Sequence, residues 1–394
     1  MARCLRHIQT ACLCVLTLLS SVLLARADTD ALDTAIQQLP VSIGSNHQII
    51  MPTDDWTQVG ISEHIGFSHL HWANPGGFRA GQTVLIPGQR LPERWVPDGV
   101  VLNLPELMLY YWRNGEVAAY YPISIGRITE RWNTPVGALH VVSKLVDPVW
   151  RSPDWAGLGD VPPGPKNPLG NRWLGLNREG YGIHGTNEPT SIGRTVSHGC
   201  IRMFPQHILQ LFDDAWINMP VIITYQTVAL ARSNGVIYMA VFPDAYSMGT
   251  NELANAQLRL AGFGLSGILS DEELSRRLAR DDGVARPILG SPITLTIDGK
   301  PCVLPIGPTV WHGQAYVPLR RLATRLGASV MWDEAKQMAI TKYGAKSYAV
   351  PAPGQHTFHA LGCTFAPLRP MIEALGGKVE YSNATIHITL PKFE

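Results

Sequence analysis

At 394 residues, and at roughly 150 residues per domain, the chain has room for two or three domains, and 45% hydrophobic with 16% charged residues excludes a disordered or collagen-like polymer. Its 32 basic and 31 acidic residues give a formal charge of +1, without the broad positive field on which binding to nucleic-acid phosphates depends, so no nucleic-acid partner is expected. The 37 glycines, 30 prolines and 11 tryptophans favour a turn-rich β protein over a helical bundle.

At the start of the chain, Arg3, Arg6 and His7 precede an uncharged stretch, Ile8 to Leu24, that closes on Ala25-Arg26-Ala27. This is the layout of a secretory signal peptide over residues 1–27. Gln9, Thr10, Thr17, Ser20 and Ser21 interrupt its apolar core, which falls short of the ~20 apolar residues of a permanent span. Removal takes Arg3, Arg6 and Arg26 from the 32 basic residues, leaving 29 against 31 acidic, a formal charge of −2. No other long apolar run exists, and a soluble mature protein is expected. Cys4, Cys12 and Cys14 leave with the signal, while Cys200, Cys302 and Cys363 stay. An odd thiol in an oxidising compartment risks oxidation and mispairing, which points to chemistry for one of the three. Cys302 and Cys363 lie in the same C-terminal region, where a disulfide and a buried reduced pair are both open; Cys200 is left over.

Residues 28–47 show no clear period. Over 48–92 the pattern is a strand entry, one or two helices within Asp54 to Ala73, a turn at Asn74-Pro75-Gly76-Gly77, and a closing strand in Gly81-Gln82-Thr83-Val84-Leu85-Ile86-Pro87. This segment resembles a LysM module, with a departure at its start, Gln48-Ile49-Ile50-Met51-Pro52. The resemblance implies a small α+β unit that binds glycan; a retained packing domain is the other reading.

From Pro97-Asp98-Gly99 onward strands are expected at Val100 to Leu104, Leu107 to Trp112 and Val117 to Ile125, the last two joined by a hairpin turn at Arg113-Asn114-Gly115-Glu116. Further strands are expected at Ala138 to Val142, Tyr181 to His184 and Val221 to Tyr225. Pro148 to Pro168 is a long loop rich in Pro, Gly and Trp, of a length that is usually functional or disordered. Gln206 to Ile217 reads as an amphipathic helix, and Asn251 to Arg286 as a helical connector with Ser270 as N-cap and Glu273 completing a capping box. The last hundred residues repeat: Tyr316-Val317-Pro318-Leu319-Arg320, Leu326-Gly327 and Val330 recur as Phe365-Ala366-Pro367-Leu368-Arg369, Leu375-Gly376 and Val379. Each copy reads as strand, helix and two strands. The pair resembles the module found at the N-terminus of copper amine oxidases. No compact His/Cys/Met ligand set lies in it, so no metal is assigned. The boundaries expected are 98–247 for a catalytic domain, 248–290 for the connector and 291–394 for a separable two-repeat module.

The chemistry concentrates in Gly182-Ile183-His184-Gly185-Thr186 and Ser197-His198-Gly199-Cys200-Ile201-Arg202-Met203. A thiol becomes an effective nucleophile only beside a base or positive charge that favours its thiolate. His198, two residues from Cys200, points to the same face if the segment is extended; His184 reaches it across a Gly/Thr/Ser-rich connection. Gly199 removes a side chain beside the thiol, letting an acyl group approach and backbone N–H groups face its oxyanion. Read alone, these residues also fit a buried thiol beside a satisfied histidine, or a zinc site of His184, His198 and Cys200, although His-x-Cys is not a usual ligand spacing.

The segment from about Gly99 to Tyr225 resembles an L,D-transpeptidase catalytic domain of the YkuD type. The likeness is carried by His184-Gly185 followed by Ser197-His198-Gly199-Cys200-Ile201-Arg202, with Asn133-Thr134-Pro135-Val136-Gly137, Lys144, Pro148-Val149-Trp150 and Pro163 to Gly170 with Trp173-Leu174. It implies a multidomain chain with a β-rich, sandwich-like catalytic domain between a small N-terminal α+β LysM-like module and C-terminal α+β tandem repeats. It makes Cys200 the nucleophile, His184 the base, and the Gly185 carbonyl the group that orients the imidazole. Under it His198 supports the site, Ser197 fixes the loop, Gly199 and Cys200 N–H groups receive the oxyanion, and Arg202 holds a substrate carboxylate. The implied partners are peptidoglycan stem peptides, with an envelope lipoprotein or outer-membrane protein as another acyl acceptor. The implied place is the periplasm, against the cell wall. No cofactor or metal is required. Two other readings share these residues: an L,D-endopeptidase or carboxypeptidase on the same fold, and a non-catalytic peptidoglycan-binding scaffold.

Overall fold

The computed structural model describes residues 31–129, 131–152, 159–352, 354 and 356–391; the expected signal peptide and the middle of the Pro148 to Pro168 loop lie outside them. The N-terminal unit runs β1 (His47–Ile50), α2 (Trp56–Ser62), α3 (Phe67–Ala73) and β2 (Thr83–Ile86), after a first helix, α1, over 31–38. Local chemistry sets its turns. Asp55 caps α2 by accepting from Thr57 N–H, and Asn74 ends α3 by bonding Leu70 O while its amide spans both Leu85 N and Leu85 O of β2. The strands pair antiparallel, and Trp56, Val59, Ile65, Leu70, Val84 and Ile86 form a small core. That core is shared with Ile192 and Phe204, which belong to the next domain.

The central domain opens with β3 (Gly99–Asn103), β4 (Met108–Arg113) and β5 (Glu116–Gly126). The expected hairpin forms as expected, with Asn114 and Gly115 both at positive φ, 53° and 77°, the geometry of a tight two-residue turn. It continues through β6 (Gly137–Val146), β7 (Arg172–Leu176), β8 (Gly182–His184), β9 (Thr195–Ser197), β10 (Ile201–Met203), α4 (Pro205–Asp214) and β11 (Pro220–Thr224). These nine strands form one sheet in the order β10-β8-β7-β6-β11-β3-β4-β5-β9, and β10 also pairs with β5, so the sheet folds over on itself around one core. This matches the β-rich, sandwich-like expectation. Helix α4 stops at Asp214, short of the expected Ile217, and leaves Trp216 partly exposed beyond its end. Lys144, on β6, donates to Ala215 O there at 2.5 Å.

Two expected boundaries are corrected. The stretch 228–247 does not join the central sheet: β12 (Val228–Ser233) and β13 (Val236–Val241) form a hairpin that continues into β14 (Arg286–Leu289), a separate three-stranded sheet. The region 248–290 is therefore not a helical connector, since α5 (Leu253–Gly262) and α6 (Asp271–Arg280) pack onto that sheet and Arg286 is in a strand. The reason is burial. Leu230, Ile237, Met239, Leu260, Leu274 and Leu289 make a core with Leu32 and Ile36 of α1, a helix the sequence pattern had not revealed.

The C-terminal region shows the expected repeat. Gln314–Pro318 leads into α7 (Leu319–Leu326) and two strands, as Cys363–Pro367 leads into α8 (Leu368–Ala374) and two strands. The two entry strands pair with each other, Tyr316 opposite Pro367 and Pro318 opposite Phe365, so the copies bury a common core. Ile306, Tyr316, Leu361 and Phe365 also reach into the core of the β12–β14 sheet, and Leu361 N–H donates to Gly264 O. The repeats are thus not separated from 228–290 by a clean boundary. Cys302 and Cys363 both stand as thiols, with no disulfide between them. Among the described residues no helix is long and apolar enough to cross a membrane.

Candidate active site

His184 ends β8, which lies between β7 and β10 with Trp173 and Arg202 as its partners in register. Ile183, Ile201 and Met203 point into the core, so strand alternation sends His184 and Arg202 to the opposite face. The two segments named from sequence are brought together by this pairing. His184 is buried, stacks on Trp173 at 5.7 Å, and its Nδ1–H donates to Gly185 O at 2.6 Å. That bond leaves Nε2 as the basic nitrogen. Leu169 O also lies beside the ring; burial first, then the Arg202 charge, push the imidazole down to about 3.

Cys200 is half-buried, its thiol donating to Gly180 O at 3.2 Å with Gly182 N–H also beside the sulfur. Burial pushes the thiol up from its usual value, against weaker opposing effects of Gly182 N–H and Arg202. A protonated thiol and a neutral imidazole are the resting states these shifts favour. Ser197 holds the turn: its hydroxyl donates to Cys200 O at 2.6 Å and accepts from Gly199 N–H at 3.1 Å. This corrects one expectation. The Gly199 amide is already committed to Ser197, and Cys200 N–H is the expected oxyanion donor left over. Gly199 itself has φ 110°, and a Cβ there would stand 2.7 Å from the Tyr181 ring, so only glycine fits.

His198 does not gather with His184 and Cys200. It is exposed, set edge-on against Trp132 at 4.7 Å, and among the described residues no three His, Cys, Asp or Glu side chains are grouped closely enough to hold a metal ion. Arg202 lies on the site face, its guanidinium 3.4 Å from the exposed carboxylate of Glu188.

Three supports were not assigned from sequence. Thr134 is buried; its hydroxyl donates to Gly199 O at 2.9 Å and accepts from Gly126 N–H at 2.9 Å. Tyr246 reaches back from beyond β13, its hydroxyl accepting from Thr134 N–H and donating to Gly126 O, both at 3.0 Å. Fully buried Asn167 gathers the ends of the long loop, its amide donating to Pro148 O and its oxygen accepting from Leu169 N–H, which sets Leu169 beside His184. The connection from His184 to Ser197 is supported from outside the domain: Phe67 N–H and Ser68 N–H of α3 donate to Ile192 O and Gly193 O. A Cβ on Gly193 would lie 2.4 Å from Phe67 N, so this docking requires glycine as well.

Residues 97–223 match the model of the YkuD family, described as the L,D-transpeptidase catalytic domain, and residues 296–359 match that of the copper amine oxidase N-terminal domain. A putative L,D-transpeptidase of Bacillus licheniformis is 36% identical over 138 residues, 35% of this chain and 72% of the relative. Another, from Bacillus subtilis, is 32% identical over 162 residues, 40% of this chain and 86% of the relative. Among solved structures, the catalytic domain of the E. faecium L,D-transpeptidase is 25% identical and aligns over 33% of this chain and 100% of its own, with a TM-score of 0.28.

Proposed function

Because the chain belongs to the YkuD family of L,D-transpeptidases, we propose that it acts on peptidoglycan tetrapeptide stems through a thioester on Cys200. The observation that carries this reading is the pairing of Arg202 with His184 across β10 and β8, which sets the Cys200 turn beside an imidazole fixed by Gly185 O. His184 Nε2 takes the thiol proton as sulfur attacks the carbonyl between the L-centre of the stem's diamino acid and the terminal D-alanine. The developing oxyanion is met by Cys200 N–H. The C–N bond then breaks, the proton passes from His184 to the departing D-alanine amine, and the acyl group stays on sulfur. An amine next attacks the thioester, gives its proton to the imidazole and restores the thiol. The amine is a side chain of a second stem, giving a 3→3 cross-link, or a lysine of an envelope protein, giving an anchored protein.

The N-terminal unit supports an envelope setting. It has the strand–helix–helix–strand order of a LysM-like module, and it buttresses the loop that precedes Cys200. Incubation with purified disaccharide-tetrapeptide, followed by mass spectrometry, tests the reaction. Dimer and free D-alanine are expected; tripeptide alone selects a carboxypeptidase, cleavage of pre-formed dimer selects an endopeptidase, and an unchanged substrate selects the scaffold.

A further inference from the structure

Beside the site face, Arg127, Arg194 and Arg202 converge with Glu188, Thr190 and Val196 on an open hollow of about 470 Å³, within the size range of small-ligand sites. Each guanidinium is held from one side. Arg127 Nε donates to Val196 O and Arg194 Nε to Thr190 O, both at 3.2 Å, while the Arg194 guanidinium carbon also lies over the Phe67 ring, 3.4 Å from its centroid. The remaining N–H groups of Arg127 and Arg194 are not matched by acids. Among the described residues no carboxylate pairs with Arg127 or Arg194, and Glu188, which faces Arg202 at 3.4 Å, is itself mostly exposed. Three like charges in one hollow repel, and the backbone bonds named above would serve equally well with neutral donors. Their field is felt next door: burial, then Arg127 and Arg202, lower the His198 imidazole below its usual value.

We propose that Arg127, Arg194 and Arg202 form a carboxylate subsite that seats a free carboxylate of the peptide stem while its neighbouring carbonyl faces Cys200. A planar guanidinium pairs a carboxylate through two parallel N–H bonds, and two forks from different segments of the chain fix its direction as well as its distance. Arg202 links the hollow to the nucleophile, since it lies two residues from Cys200 and in register with His184. This inference rests on the reading of the chain as a stem-peptide enzyme, and it adds Arg127 and Arg194 as residues that select substrate by charge.

The test measures binding by calorimetry to the full chain carrying Cys200→Ala, so that no turnover is needed. The ligands are the tetrapeptide, the peptide amidated at its terminal carboxylate, and the peptide amidated on its diamino acid. One of the two amidations is expected to weaken binding at least about tenfold, the size of a lost charge-assisted bond, and it identifies which carboxylate is held. In the same background Arg127→Gln with Arg194→Gln should cut that preference at least about threefold, Arg202 remaining in place, while Arg127→Lys with Arg194→Lys, which keeps the charge, should retain more of it. Equal affinity for all three peptides, an amidation penalty unaffected by the glutamine pair in a protein with an unchanged melting temperature, or no binding at millimolar peptide would each overturn the subsite. Binding that discriminates in this way, without thioester formation by the unmodified protein, would keep the subsite and remove the transpeptidase reaction. Thioester formation without any arginine-dependent preference would do the reverse.

Discussion

Thr134 Oγ1 donates to Gly199 O at 2.9 Å, joining the end of one loop to the residue before the nucleophile across 65 positions of sequence. With Gly126 N–H donating to the same hydroxyl and Tyr246 bridging Gly126 O and Thr134 N–H, four hydrogen bonds fix the Cys200 turn from behind. Thr134→Val leaves Gly199 O buried without a donor, a loss of about 1–3 kcal/mol, so Cys200 should be acylated by the tetrapeptide stem roughly tenfold more slowly or worse. Thr134→Ser keeps the hydroxyl and should restore most of the rate. Equal rates for valine and serine variants, followed by intact mass, would show that the bond does not position the thiol.

Gly199→Ala should be more damaging than its one added methyl suggests. It places a Cβ 2.7 Å from the Tyr181 ring at φ 110°, so either the turn or Tyr181 has to move, at a cost on the order of 1–3 kcal/mol. Loss of acylation with a melting temperature within a few degrees of the parent is the expected pattern; an unimpaired alanine variant would contradict the geometry.

The pH dependence of acylation should lack the usual histidine limb. With the His184 imidazole held down at about 3, it stays neutral, and therefore basic, from pH 5.5 to 7. The rate of Cys200 acylation by the tetrapeptide stem is expected to change by less than about twofold over that range, where an ordinary imidazole near 6.5 would lose close to tenfold. A tenfold fall would mean that the base titrates normally.

Stability should fall with acid for a related reason. His184 is held at about 3 and His207 at about 4, both chiefly by burial, and His69 lies well below its usual value because burial, then the Arg90 charge, disfavour its cation. His69 is fixed as a neutral ring, accepting from Gly66 N–H on Nδ1 and donating from Nε2 to Glu106 O. The unfolded chain binds protons on these rings below about 6.5 while the folded chain does not, so stability is full above that value and is lost as pH falls toward 4. Each contributes up to about 2 kcal/mol between pH 6.5 and 5, and the melting temperature should drop by several degrees. A flat melting temperature from pH 7 to 5 would exclude this linkage.

The catalytic segment was legible because its signals are local. His184-Gly185, the Ser197 to Arg202 run and the Asn114-Gly115 turn each specify chemistry or geometry within a few residues. What could not be read is set by distant partners. Tyr246 meets Thr134 across 112 positions, and β12–β13 alternate like any strands, so nothing in their pattern says which sheet they join. Helix α1 carried a signal, Leu32 and Ile36 with Leu39 just past its end at helical spacing, but three residues in a short segment are a weak period until their core is known. Ser197 shows the same limit at atomic scale: its place in the motif was evident, its claim on the Gly199 amide was not.

The shared core changes the expectation for truncation. Ending the chain near Ser291 would strip Ile306, Tyr316, Leu361 and Phe365 from the core of β12–β14 and expose Leu289 and Ile237. Four such losses, at about 2–5 kcal/mol each, are of the same order as the ~5–15 kcal/mol that holds a domain together. The truncated protein should aggregate or melt well below the full chain, and a soluble, fully active truncation would restore a separable C-terminal module.

The central claim is a covalent acyl-enzyme on one sulfur, and intact-mass spectrometry of the full chain during incubation with disaccharide-tetrapeptide tests it most directly. An adduct equal to the stem less D-alanine, mapped to Cys200 and absent from Cys200→Ala together with all turnover, is the result expected. Turnover that persists in Cys200→Ala would contradict it.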